Sequence, residues 1–526
     1  MGPVLVFRLI LVLIAAAVLL ALLARRLRIP PSAAYVVGGM ALALVPDAPH
    51  PALDPDLILA LFLPPLLQSS AFFTVWRDFR AHLRPILLLA IGCVAFTTLI
   101  VGVVLKLLVP ALPWAACFAL GAIISPPDAV SAASVLEHLR IPRRLRTILE
   151  GESLVNDASG LVLYRFAVVA ALTGAFSPLP AVATFVYVAV AGLAIGFAFG
   201  RASSWLFQRL HDPNLEITAS FLLAWASFMA AEAVGASGVL STVACGLTMG
   251  WYQHVAFSSG TRVKARATWS VTVFVLEALV FVLIGLSLNG VLARLGAAGA
   301  LSLLPLALII TAAMTLARFA WVFTGSYLPR LLSSRIRTRE PFPEPGSVLV
   351  IAWAGMRGVV SLAVALALPE NFPGRDLILF LTFFVILVTV LIQGTTLGPL
   401  IRWLGVARPA ASDGVPPEAR ARAELERAAL RLIEERGNDE IVGPIARDLI
   451  PEFRERAGQA ARTHETGGAA RAEQTARLSL RLDAIEVERT RLIAMHRAGD
   501  IHDEVVQILE QELDFDELRL RGQIAH

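Results

Sequence analysis

Gly151-Glu152-Ser153-Leu154-Val155-Asn156-Asp157 heads an otherwise apolar run that continues to Thr173. On a helix, Ser153 and Asp157 share one face at i,i+4, and Glu152 and Asn156 form a second such pair on a neighbouring face. The run is long enough to cross a bilayer, which places ionisable groups at or inside membrane depth, where they are expensive and mark function. One face could hold an ion while the other holds the first in place.

Composition outward from this segment agrees with a membrane setting. The chain is 57% hydrophobic and 16% charged, with a mean hydropathy of +0.71. Its apolar runs repeatedly reach about twenty residues, rich in Leu, Ala and Val, which excludes an ordinary soluble domain. They also lack the ten-residue alternation of an outer-membrane barrel. The expected class is an all-α polytopic membrane protein with about thirteen transmembrane helices. Spans are expected near Pro3–Ala24, Pro31–Val45, Leu57–Phe73, Pro85–Val109, Trp114–Leu136, Leu145–Thr173, Leu179–Leu206, Ile217–Val234, Gly238–Trp251, Ala267–Leu288, Leu301–Tyr327, Ser347–Leu368 and Leu377–Leu400.

Basic residues set the expected orientation, because short cytoplasmic loops carry the excess of Lys and Arg. Arg25, Arg26 and Arg28 follow the first span; Arg77, Arg80 and Arg84 the third; Arg140, Arg143, Arg144 and Arg146 the fifth. The pattern continues through Arg262, Lys264 and Arg266 to Arg330, Arg335, Arg337 and Arg339, whereas the opposite loops carry only Arg294 and Arg375. This predicts an N-terminus outside, a C-terminus inside and a multi-pass protein of the cell (inner) membrane. The first span reads as a retained anchor, since its charges follow the apolar run. The net charge of +4 comes mainly from these loops, so nucleic-acid binding is not implied. Cys93, Cys117 and Cys245 all fall within apolar spans without metal-like spacing.

Beyond Leu404 the composition turns to Glu, Arg and Ala, and Pro409–Pro417 reads as a linker. The domains are therefore expected as a membrane domain, 1–404, and a cytosolic helical tail, 405–526, with a regulatory or dimer-supporting role. Leu478, Leu482, Ile485, Leu492 and Ile493 recur at helical spacing. Gly499 and Asp500 punctuate, with Asp500 capping a second amphipathic helix over Ile501–Leu513.

The spans can be divided into two inverted six-helix repeats, one to six and eight to thirteen, joined by the seventh. Corresponding members of these repeats are both interrupted. Ser125-Pro126-Pro127-Asp128 removes amide donors from mid-span, and Ala354-Gly355-Met356-Arg357-Gly358 loosens its counterpart. Crossed discontinuous helices would then bring Asp128, Arg357 and Asp157 to the midplane. Glu277 and Arg318, also intramembrane, could pair with one another in a structural or gating role.

Three segments carry a family resemblance: Ser-Pro-Pro-Asp128-Ala-Val-Ser, Gly-Glu152-Ser153-Leu-Val-Asn156-Asp157-Ala and Gly355-Met-Arg357-Gly-Val-Val-Ser361. They closely resemble sodium/proton exchangers of the NhaP type, over about the first 400 residues. The resemblance implies that Asp157 alternately binds a cation and a proton, with Ser153 and the unwound backbone beside Asp128 as neighbouring ligands. It further implies that Glu152 pairs with Arg357, that Asn156 steadies the crossing, that Asn before Asp marks electroneutral exchange, and that the protein forms a homodimer. In one departure, Pro127 precedes Asp128 where many members have threonine or valine, and Ala129 follows where many have proline. A threonine hydroxyl ligand is missing, leaving Ser125, Ser131 or nothing to substitute.

Chemistry converges on the same function. A bare carboxylate is costly in a partly dry cavity, so either a proton or a cation must neutralise it before the site moves. Carboxylate, hydroxyl and carbonyl oxygens suit an alkali ion; no suitable His or Cys cluster offers a transition metal a home. The expectation is a secondary antiporter, not an enzyme, exchanging a monovalent cation, Na+ first, for H+ within membrane lipid and without a cofactor. A potassium/proton exchanger is the alternative. A cation channel would want a ring or filter, and an intramembrane aspartyl protease the Gly-x-Gly-Asp pattern that the sequence lacks.

Overall fold

The computed structural model describes residues 3–27, 29–44, 55–136, 139, 141–174, 178–407, 417–439, 442–465, 468–498 and 502–525. Val45, Arg28, Arg140, the linker over 409–416, Gly499, Asp500 and Ile501 lie outside them, as do the side chains of Arg294 and Arg339. Every regular element among the described residues is helical, and the chain divides into two compact units, Met1–Pro409 and Ala410–His526.

In the first unit each expected apolar segment falls on helix. Seven described helices are long and apolar enough to cross a membrane by length and composition, and three shorter apolar ones accompany them. The count of about thirteen crossings therefore stays an expectation from sequence. Short helices can survive at membrane depth when protein surrounds them, as at Trp114–Ile124, where eight residues from Ala116 to Ile124 are buried. Small residues allow close packing elsewhere. Gly192, Gly196 and Gly200 form a stripe on Pro178–Leu210 that meets the Ser241 and Cys245 carbonyls of the neighbouring Gly238–Ala256 helix and that of its capping Ser237, and a Cβ on any of the three would run into that backbone. The small-xxx-small stripe thus sets the helix separation.

Both interruptions are present. Trp114–Ile124 stops before Pro126 and resumes as Ala129–Leu136; Pro345–Trp353 stops and resumes as Val359–Leu366. Proline lacks an amide donor and clashes with the preceding turn, so the first break follows directly from Pro126 and Pro127. The breaks cross, and Asp128 N donates to Met356 O at 2.7 Å. Two wide π turns, Leu88–Cys93 and Thr389–Gln393, lie in the flanking helices. The first lies where Leu88 O accepts from Trp321 Nε1 at 2.9 Å; in the second, Thr389 Oγ1 accepts from Arg357 N at 3.1 Å.

The second unit holds two helical hairpins. Pro417–Arg436 packs on Gly443–Glu465, with Arg454–Glu434 at 2.9 Å and Arg456–Glu426 at 3.0 Å. Gly468–Ala498 packs on Asp503–Ala525 through Leu478, Leu482, Ile485, Leu513 and Leu520. Leu492 is buried, but Ile493 is 38% exposed and falls off the expected stripe. The last helix runs well past the expected Leu513, and the first hairpin has no counterpart in the sequence reading.

Candidate cation and proton site

The Arg143–Thr173 helix carries the opening motif through the middle of the first unit, and Glu152, Ser153, Asn156 and Asp157 are all buried. The helical register separates their roles as the i,i+4 spacing predicts. Ser153 and Asp157 face a cavity of about 210 Å³, which Asp128 also lines. Among the described residues no basic side chain pairs with Asp157, which lies 8% exposed. Ser69 and Ser70 from Pro55–Phe73 and Glu277 from Ser259–Leu286 complete the polar lining, within walls that include Phe62, Phe281 and Val360.

Asn156, on the other face, donates from Nδ2 to Pro127 O at 2.6 Å. The proline ring leaves that stretch of backbone outside any helical ladder, and Asn156 occupies one of the acceptors freed by the break. Its Oδ1 is buried without a hydrogen-bond partner. Asp128 caps the following half-helix, accepting from Ser131 N at 3.1 Å and Ser131 Oγ at 2.6 Å. A negative group is favoured at a helix N-terminus, and Asp128 lies beside two, because Gly358 at the head of Val359–Leu366 touches its carboxylate. A Cβ on Gly358 would collide with that carboxylate.

Two expected pairings are corrected. Glu152 pairs with Arg318, not Arg357: Arg318 Nη1 and Nη2 donate to the Glu152 carboxylate at 2.6 and 2.9 Å, and Nη2 also donates to Ile351 O at 3.0 Å. Arg318 consequently does not pair with Glu277, which lines the cavity instead. Arg357 has a different task. Its Nε donates to Ile124 O at 2.5 Å and its Nη2 to Ser125 O at 3.0 Å, while Nη1 donates to Gly355 O. The carbonyl end of a half-helix carries partial negative charge, so the guanidinium neutralises the truncated C-terminus of Trp114–Ile124 and needs no carboxylate.

Neither candidate substitute for the missing threonine lines the cavity. The Ser125 hydroxyl donates to Gly121 O at 2.5 Å and lies 2.9 Å from Thr98 Oγ1, while that of Ser131 is spent on Asp128. Ser69 and Ser70 were missed in the sequence; adjacent serines inside an apolar run, just after Pro64-Pro65, were the available signal.

Comparison with known proteins agrees with this architecture. The family "sodium/hydrogen exchanger, transmembrane" matches residues 12–403, and the chain belongs to it. The Escherichia coli protein named "Uncharacterized Na(+)/H(+) exchanger YjcE" is 33% identical over 503 residues, covering 88% of this chain and 89% of that protein. A Bacillus subtilis "sodium, potassium, lithium and rubidium/H(+) antiporter" is 31% identical over 513 residues, covering 94% of this chain and 74% of its own length. The structure of the sodium proton antiporter MjNhaP1 from Methanocaldococcus jannaschii superposes with a TM-score of 0.60 at 19% identity, covering 77% of this chain and all of that one. This last likeness concerns the fold.

Proposed function

We propose that the protein is a secondary antiporter in which one site, centred on Asp157, accepts either a monovalent cation or a proton. The observation that carries this reading is a buried carboxylate, Asp157, that faces a cavity and has no basic partner among the described residues, on the same helix as the paired Glu152. Ser153 supplies a hydroxyl ligand. Asp128, held between two half-helix N-termini, fixes the crossing. Sodium is the expected ion, and the range of alkali ions in the Bacillus relative's name favours potassium as a second reading. Electroneutral one-for-one exchange fits a single titrating carboxylate, because only a neutralised site crosses the low-dielectric barrier cheaply.

Glu152, Arg318, Asn156 and Arg357 are positioning residues for the crossing. The same reading puts the protein in the cell membrane as a homodimer, with the N-terminus outside and a cytosolic regulatory tail, and requires no cofactor.

Proton flux driven by a cation gradient in proteoliposomes tests the assignment. Asp157→Asn should abolish flux for every alkali ion while leaving a folded protein, and retained exchange would remove the central residue. In the unmodified protein the apparent KM for the cation should rise as pH falls, with little change in maximal rate, because protons compete for one carboxylate. A KM independent of pH would contradict the shared site.

A further inference from the structure

A second cavity, of about 310 Å³, shares no lining residue with the first. Its walls are apolar, including Leu89, Leu145, Ile148, Trp321 and Ile351, and Arg84, Arg144 and Arg330 bring three guanidinium groups to it from three helices. The charges are not balanced: the lining contains two glutamates against three arginines. Glu340 bridges two of these arginines, lying 2.8 Å from Arg330 and 3.5 Å from Arg84. Arg330, only 5% exposed, also donates through Nε to Glu340 O at 3.2 Å. Arg144 has no acidic partner among the described residues. It sits in the first turn of Arg143–Thr173, whose N-terminus has neither a side-chain cap nor an acidic residue.

We propose that this cavity binds an amphiphile whose phosphate headgroup has a net negative charge, its phosphate at Arg144 and reaching, in competition with Glu340, toward Arg84 and Arg330, and its apolar chain along the Leu145, Ile148 and Trp321 wall. Arginine matches phosphate geometry with paired donors, and a polar phosphate alone would leave most of the apolar wall unused. Glu340 already occupies the anion position between Arg84 and Arg330, so it is the competitor built into the chain. A ligand that draws these arginines away frees the segment 340–344, which leads directly into Pro345–Trp353, the half-helix ending at the second break. The site is thereby placed to regulate the Asp157 cavity at a distance. That regulatory consequence rests on the exchange reading; binding itself does not.

Binding is measured on the full-length purified chain in a neutral detergent, by native mass spectrometry of retained lipid and by thermal unfolding. Phosphatidylglycerol should be retained and should raise the unfolding midpoint, whereas phosphatidylcholine and inorganic phosphate at matched concentration should not. Arg144→Gln should weaken retention by about fivefold, the worth of one basic residue at an anionic lipid surface, and Arg144→Lys should recover most of it. Glu340→Gln, which removes the competitor, should strengthen retention. Equal stabilisation by inorganic phosphate would overturn the amphiphile, and retention indifferent to both Arg144→Gln and Glu340→Gln would overturn the site. Absence of exchange by the unmodified protein, with lipid retention as expected, would count against the exchange reading alone.

Discussion

Glu152 and Asp157 lie on one helix, both buried, and the protein treats them oppositely. Glu152 is closed by a bidentate guanidinium whose Nη2 also donates to Ile351 O, while Asp157 opens on a cavity beside serines and other acids. A carboxylate held through both oxygens is part of the scaffold; on the proposed reading, one left facing a cavity takes its counter-charge from outside. On that reading, the contrast separates scaffold from site without reference to any relative.

Arg318→Ala should have the largest effect on stability, about 3–5 kcal/mol, because it leaves Glu152 buried and unpaired. Thermal unfolding in detergent checks it, and Arg318→Ala together with Glu152→Gln should recover part of the loss. If the single variant is as stable as the parent, the contrast fails at its scaffold end. Arg357→Gln should come next, at about 1.5–3 kcal/mol, since carbonyls at the half-helix end lose a charged donor. It should lower folded yield more than it shifts cation KM, whereas altered ion selectivity in a well-folded variant would move Arg357 to the site. The smallest effect is expected in the tail. Arg489 lies 2.8 Å from both Asp514 and Glu517, yet it is partly exposed, so Arg489→Ala should cost about 1 kcal/mol or less and leave flux unchanged.

What the sequence disclosed was local. Pro126-Pro127 removes two successive amide donors and Gly355 and Gly358 loosen the counterpart, so both breaks were readable, although the like pair Pro64-Pro65 is carried inside the continuous Pro55–Phe73 helix. The i,i+4 arithmetic that put Ser153 with Asp157 needed only helical geometry. The partner of Glu152 was not readable, because Arg318 and Arg357 both lie in apolar runs and packing decides which one points at it. The half-helix carbonyls that hold Arg357 exist only once the first span has broken, a fact of assembly that no pairwise charge rule contains. Ser69 and Ser70 were missed for a related reason: a hydroxyl in an apolar span satisfies itself on its own helix as readily as it faces a cavity. In the tail, Ala423, Leu430 and Ile433 recur at helical spacing on Pro417–Arg436, but Glu426 interrupts this short stripe, which is why it was passed over.

The crossing also bears on biogenesis. Arg357 reaches Ile124, 233 residues earlier, so the first broken span enters the bilayer with its freed backbone groups waiting for a partner not yet synthesised. Until the ribosome has delivered the second interruption, neighbouring helices, water or a chaperone must shelter that gap. Nascent chains arrested before residue 345 should therefore be conspicuous targets for membrane quality control, and those arrested beyond the Thr389 turn should escape it.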